Sequence, residues 1–409
     1  MLAMLCGRQA GAQDTLKLSL PEAEKQFLQQ NLSVLAAQYN VEAQQALELQ
    51  ARLYANPVLS AELNAVNPQD NKYFHVSRQG QKAFALEQLF LLGGKKQKEI
   101  ALAKGNTALA QQELQDLLRN LKYQLYSSFY GVYFDWQILQ KYNTQLGQLD
   151  TLIGQFEQQA QKGNVALKDV VRLKTAFIKL NNDKTDLLQS IQSQQRVLQV
   201  LLQTNRFVFP DLSNTNWEGL QQLVPLDSLQ ALAFAHRADW RSTTLQADLA
   251  ELNTRYQKSL AVPDLNLGLS YDQNGGAFRN QVNLTAAIPL PIRNRNQGNI
   301  KAAQIQTALA QNNVQLRQTE IHAEVTEAWS NMRLSIQEFQ KVRKLYTSDF
   351  TDVINGVNDN FRKRNISLIE FIDFFESYNE TLAEISRVRK QLLLSAEQIN
   401  YTISFPLYK

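Results

Sequence analysis

The chain of 409 residues is poor in the residue types that most enzymatic and metal chemistry depends on. It contains one cysteine, three histidines and three methionines. His75, His236 and His322 lie far apart, and no His-x-x-x-His or cysteine pair offers metal-ligand spacing. No phosphate-binding or dinucleotide-binding glycine pattern occurs, since Gly93-Gly94 and Gly275-Gly276 sit as turns beside strand-like segments. The inventory therefore predicts no catalytic residue, no resident metal and no cofactor. Net charge is only +4 and is not concentrated in a basic patch, which argues against a nucleic-acid partner. No window holds 18 consecutive apolar residues, so no α-helical membrane span is expected. Proline is scarce as well: there are nine, and none between Pro68 and Pro210.

That proline-free gap contains the segment around which the chain is organised, Lys95–Lys162. Leu114, Leu118, Leu121, Leu125, Val132, Leu139, Tyr142, Leu146, Leu149, Ile153 and Phe156 recur there at sums of threes and fours. The period is close to 3.5 residues, as in a helix that supercoils against partners. At the α-helical rise, one helix of this length spans roughly 100 Å, more than a globular core needs.

The N-terminus carries Ala10-Gly11-Ala12, a cleavage-type pattern after a short apolar run. Residues 1–12 are read as the tail of a secretory signal whose start lies upstream. Cys6 follows Leu5 rather than the small residue that precedes a lipid-attachment cysteine.

Beyond it, the chain repeats one unit. In the first copy (18–205), Leu18-Ser-Leu-Pro-Glu-Ala23 opens a helix that Asn56-Pro57 stops. Strands are expected at 58–64 and 82–91, a long helix at 95–161 and a returning helix at 167–203. After a connector (206–223), the second copy (224–405) starts at Val224-Pro-Leu-Asp-Ser-Leu229. It has strands at 264–272 and 281–290, a long helix at 296–361 and a returning helix at 368–401. An offset of 206 places Asn31 on Arg237 and Pro57 on Pro263. An offset of 201 places Lys162-Gly-Asn-Val-Ala-Leu167 on Lys363-Arg-Asn-Ile-Ser-Leu368. Self-similarity on this scale reads as duplication of a structural unit. In the strands, Leu265, Leu267, Leu269 and Tyr271 alternate with polar residues, as do Val282 and Leu284.

Four strands leave two unpaired edges, which a bilayer does not tolerate. Closed membrane barrels have at least about eight strands. Three copies supply twelve, and a cyclic trimer closes them simply. A small soluble sheet capping a helical bundle is the plainer alternative.

On these features the chain resembles the TolC-like outer-membrane efflux channel proteins, over nearly everything from Leu18 to Phe405. The resemblance rests on the strand-opening prolines Pro57 and Pro263, on Gln88-Leu-Phe-Leu-Leu-Gly-Gly94 before the long helix, and on the two hairpin turns. It implies a mainly α fold with a small membrane β-barrel part, trimerising into a 12-stranded β-barrel and a 12-helix α-barrel. It implies outer-membrane lipid around the barrel, a periplasmic adaptor and an inner-membrane pump as partners, and no enzymatic activity. It places an acidic gate at Glu370 and Asp373, three residues apart on one helix face, where a trimer forms rings of carboxylates that favour cations.

Asp169 is equivalent to Glu370, and in the family an aspartate here bonds the neighbouring hairpin. The pattern departs from the family at Phe361, where a tyrosine partner would stand, and at Ile366, where an arginine would. Arg364, with Arg362 and Lys363 beside it, is the alternative latch partner for Asp169. Arg364 replaces the glycine of the first turn, which strains it if that position needs positive φ. The tips Gly163, Asn164, Val165, Ala166, Asn365, Ile366 and Ser367 are expected to meet the adaptor. Tyr123, Tyr126, Phe129, Tyr130, Tyr133, Phe134 and Trp136 read as packing against the connector. Heavy-metal cations are weakly favoured as substrate by the compact repeats. A type I protein-secretion conduit and a periplasmic coiled-coil scaffold are the other readings.

Overall fold

In a computed structural model, the described residues are 15–68, 71–213, 217–275, 277–345 and 349–408. The signal-like segment 1–12 lies outside them. The chain opens with strand β1 (Thr15–Ser19), helices α1 (Leu20–Gln30) and α2 (Leu32–Arg52), and strand β2 (Val58–Leu63). A two-residue hairpin, β3 (Val66–Asn67) and β4 (Lys72–Tyr73), leads to β5 (Gln81–Phe90). Then come the long helix α3 (Lys95–Gln161), the returning helix α4 (Leu167–Leu202) and strand β6 (Phe207–Asp211). The second copy runs α5 (Leu226–His236), α6 (Ala238–Leu260), β7 (Leu265–Asn274), β8 (Phe278–Ala287), α7 (Gln297–Leu345), α8 (Asp349–Arg362) and α9 (Leu368–Ile403).

The opening helix of each copy is two helices, not the single one that its periodicity suggests. The breaks fall at the equivalent residues Asn31 and Arg237, both buried with extended ψ. Asn31 uses its side-chain oxygen to accept from the N–H groups of Ser33 and Val34, capping α2, while its amide donates to the Leu201 carbonyl at 3.0 Å. Arg237 donates to the Thr402 carbonyl at 3.1 Å and pairs with Glu324 at 2.6 Å. The strands also shift: β8 starts at Phe278 and ends at Ala287, before Pro289 and Pro291, which have no N–H to offer a ladder. In the second long helix, residues 346–348 lie outside the described ones.

The chain divides into two compact units that cut across the repeats, because each long helix passes through both. One unit holds Ala37–Leu114 and Asp239–Gln318. Its centre is an antiparallel sheet in the order β2-β5-β7-β8, built from both copies. Register places Leu59, Leu86, Leu269 and Leu284 in one cross-strand row, with Ala61, Phe84, Tyr271 and Val282 in the next. The opposite face carries Ser60, Ala85, Ser270 and Asn283, then Glu62, Ala83, Asp272 and Gln281. All four leucines of the first row are exposed, Leu284 at 88%. The leucine row thus lies open among the described residues. The start of α3 is fixed to the start of β7 by Lys95, buried and bonded to Asp264 at 2.6 Å. Gly93 and Gly94, at φ +69° and +67°, make the turn between β5 and α3.

The other unit holds Gln115–Ala238, the chain from Thr319 onward and the start up to Ala36. It contains the parallel pair β1–β6, which the sequence reading missed. The connector packs on the last part of the aromatic run of α3: Trp136 meets Phe207 and Phe209 at 5.5 and 5.7 Å, and Phe134 meets Trp217 at 6.3 Å, whereas Tyr123, Tyr126 and Tyr130 turn to Tyr401, Glu24 and Glu397 instead. Each returning helix ends on a left-handed residue at equivalent positions, Gln203 and Ser404.

Candidate functional site

The two hairpin tips share one backbone design. At the first, Gly163 has φ +74°, its N–H reaches the Ala160 carbonyl and the Asn164 N–H reaches that of Gln159. At the second, Arg364 has φ +62°, its N–H reaches Phe361 and the Asn365 N–H reaches Asn360. These are paired Schellman closures at corresponding residues. The side chains repeat as well, Asn164 donating to Gln159 and Asn365 to Asn360. Arg364 therefore occupies the conformation that its glycine counterpart adopts freely, and the strain anticipated there is present.

The caps that follow differ. Ser367 and Glu370 form a capping box: the Ser367 N–H donates to the Glu370 carboxylate at 2.7 Å, and the Glu370 N–H to the Ser367 hydroxyl at 3.3 Å. The bonds from Ser367 hold the Glu370 carboxyl below its ordinary pKa. The first tip has Ala166 in the cap position, with no side-chain cap for Asp169 to complete.

Glu370 and Asp373 begin an exposed stripe on α9 that continues through Ser377, Glu380 and Glu384 at heptad spacing. Its carboxylates are not equal. Glu370 is engaged in the cap, Glu380 pairs with Lys179 at 3.1 Å, and Glu384 pairs with Arg387 at 2.7 Å. Lys179 also reaches Glu376 at 3.5 Å, and these carboxylates raise its pKa. Asp373 makes no hydrogen bond or ion pair through its side chain among the described residues.

The proposed latch residues Asp169 and Arg364 are not joined within the protomer. Neither makes a side-chain hydrogen bond or ion pair among the described residues. Their neighbourhood is held instead by rings. Phe361 stacks on Phe371 at 4.3 Å and on Phe156 at 6.1 Å, and Phe371 meets Phe375 at 5.9 Å. Ile366 packs against the same cluster, whose buried members include Leu149, Leu173 and Leu180. Where the family pattern suggests a polar tyrosine and arginine, this chain places apolar packing.

Among the described residues no group of three or more His, Cys, Asp or Glu side chains is placed to hold a metal ion. No helix there is long and apolar enough to cross a membrane.

No model of a known protein family matches the chain. It is similar to the cobalt-zinc-cadmium resistance protein CzcC of Cupriavidus metallidurans, 23% identical over 350 residues, covering 84% of this chain and 79% of that protein. Among solved structures it resembles CusC, described in terms of folding and transmembrane channel formation, at a TM-score of 0.75 and 15% identity over 94% of this chain and 91% of that one. It resembles the Campylobacter jejuni CmeC outer membrane channel at a TM-score of 0.77 and 11% identity, over 94% and 85% of the two chains. The chain has the fold of the TolC-like outer-membrane efflux channels.

Proposed function

We propose that the chain is one protomer of a trimeric outer-membrane channel that exports small substrates passively. The observation that carries this reading is the sheet β2-β5-β7-β8, whose outer strands β2 and β8 each have one free edge, with no second strand paired to it among the described residues. Its leucine-bearing face is uncovered and its other face is polar, the two-sided character of a membrane barrel strand. Open edges are not stable in lipid, and three copies close them into twelve strands. The helices then form the periplasmic conduit. An inner-membrane pump supplies the energy, and a periplasmic adaptor engages Gly163, Asn164, Val165, Ala166, Asn365, Ile366 and Ser367.

Glu370 and Asp373 form the carboxylate rings of the gate, with Asp373 the stronger contributor because its charge is unpaired. Asp169 and Arg364 are left to bond across protomers. Heavy-metal cations are the favoured substrate, supported by the likeness to a cobalt-zinc-cadmium resistance protein and by the acidic stripe on α9.

The mass of the detergent-extracted complex tests the assembly. Three chains per particle that insert into planar bilayers as a pore support it. A water-soluble monomer without pore activity ends it.

A further inference from the structure

A cavity of about 430 Å³ opens in the unit that carries the tips, between α1, α3, the end of α5, α9 and the C-terminal segment. On its wall stands Glu397, only 9% exposed. Its two carboxylate oxygens accept from the Tyr130 hydroxyl and the Asn400 amide, both at 3.2 Å. No cation bonds it among the described residues.

The basic groups nearby are already engaged. Lys122 pairs with Glu24 at 2.7 Å, and Glu24 also accepts from Tyr126 at 2.6 Å. Arg119 is paired with Asp116 at 2.6 Å. Rings form much of the remaining wall: Tyr123 and Tyr401 lie 4.8 Å apart, and Phe405 meets His236 at 5.2 Å. One of these rings already accepts a cation, since the Arg119 guanidinium lies 4.5 Å from the Tyr401 centroid. The cavity is not a loose gap. Asn400 fixes its C-terminal wall by accepting from the N–H groups of Leu407 and Tyr408 and donating to the Tyr408 carbonyl.

We propose that this cavity binds an organic monocation, a quaternary or protonated amine whose charge Glu397 neutralises and whose apolar groups the tyrosine rings take. Ring faces attract such cations, and a desolvated site strengthens the attraction. A carboxylate buried without a cation is an unfavourable arrangement that this ligand relieves. A metal ion fits less well, because one uncommitted carboxylate is too small a donor set. An anion finds the lysine and the arginine of the wall, Lys122 and Arg119, already paired with carboxylates.

The site carries its own signature. Burial pushes the Glu397 carboxyl up to about 7, so the cation competes with a proton. His236 is the one imidazole on the wall. Glu24, Lys122, Arg119 and the tyrosines Tyr123, Tyr126 and Tyr130 also face Glu397 or its partners.

Benzyltrimethylammonium, whose own charge does not change with pH, is the probe, titrated calorimetrically into the intact detergent-solubilised protein. One site per chain is expected, with affinity falling about tenfold from pH 8 to pH 6. Glu397→Gln, whose one amide oxygen can still accept from Asn400 while its NH2 donates to the Tyr130 hydroxyl, is expected to weaken binding at least tenfold and to flatten the pH dependence. Tyr401→Leu weakens binding but keeps the pH slope, and His236→Gln leaves the slope intact. Absence of binding at pH 8, an E397Q affinity equal to the parent's, or a slope lost in H236Q and kept in E397Q overturns the proposal.

Discussion

Asn31 and Arg237 are the same position used twice. Each ends the first helix of its repeat, each is buried, and each donates to a main-chain carbonyl on the returning helix of its own copy. The accepting carbonyls, Leu201 and Thr402, are themselves equivalent across the duplication. The chemistry has diverged from a neutral amide to a guanidinium paired with Glu324, while the geometric task has not.

This divergence sets unequal costs. Arg237→Met takes the donor from the buried Thr402 carbonyl and the partner from the partly exposed Glu324, and is expected to lower stability by about 2–4 kcal/mol, most of it from the unsatisfied carbonyl. Asn31→Ala loses a cap and a carbonyl partner and is expected to cost about 1–3 kcal/mol. Urea unfolding of the two variants, followed by circular dichroism, checks the order.

The tips make a paired prediction. Arg364→Gly removes a left-handed arginine and is expected to stabilise the second hairpin by about 1 kcal/mol. Gly163→Ala, at φ +74°, is expected to destabilise the first by a similar amount. Hydrogen exchange of the flanking amides reads both, and equal exchange in parent and variants contradicts the shared-turn account.

The two residues proposed for the gate separate by what else they do. Asp373→Ala is expected to reduce cation selectivity in bilayer conductance without altering hydrogen exchange at the tip. Glu370→Ala is expected to change both, because it also breaks the Ser367 capping box. Unchanged selectivity in the double variant removes these residues from the gate.

Glu397 makes stability depend on pH in a stated direction. Its folded-state pKa, about 7, lies above the unfolded value, so between about 4.5 and 7 the folded chain holds the extra proton. Its contribution therefore falls as pH rises through that window and is fully lost above it. Glu397→Gln is expected to melt higher than the parent at pH 8, by an amount on the order of a few kcal/mol, and nearly the same at pH 4. Thermal melts at the two pH values decide.

Much of this fold was legible in local pattern. Pro57 and Pro263 mark where helix gives way to strand, and two-residue alternation located β7 with little error. Equivalent turns located both tips. The breaks at Asn31 and Arg237 were not legible, since each is one residue wide and depends on a distant carbonyl. Strand β1 escaped for a similar reason: it exists through a parallel partner nearly two hundred residues away. The capping box Ser367–Glu370 could have been found from its S-x-x-E spacing, and it qualifies the gate reading of Glu370. Nothing in Ser395-Ala-Glu-Gln398 signals that this glutamate is buried, because only the fold brings Tyr130 and Glu24 to its side.

One inheritance of the duplication reaches beyond the single chain. Both hairpins close with the same turn, but one begins its return on serine and glutamate and the other on alanine and an uncapped aspartate. A threefold ring built from such chains has a mouth of six points in two alternating kinds. A docking ring of like subunits would then meet two sorts of seat, and could engage one sort before the other.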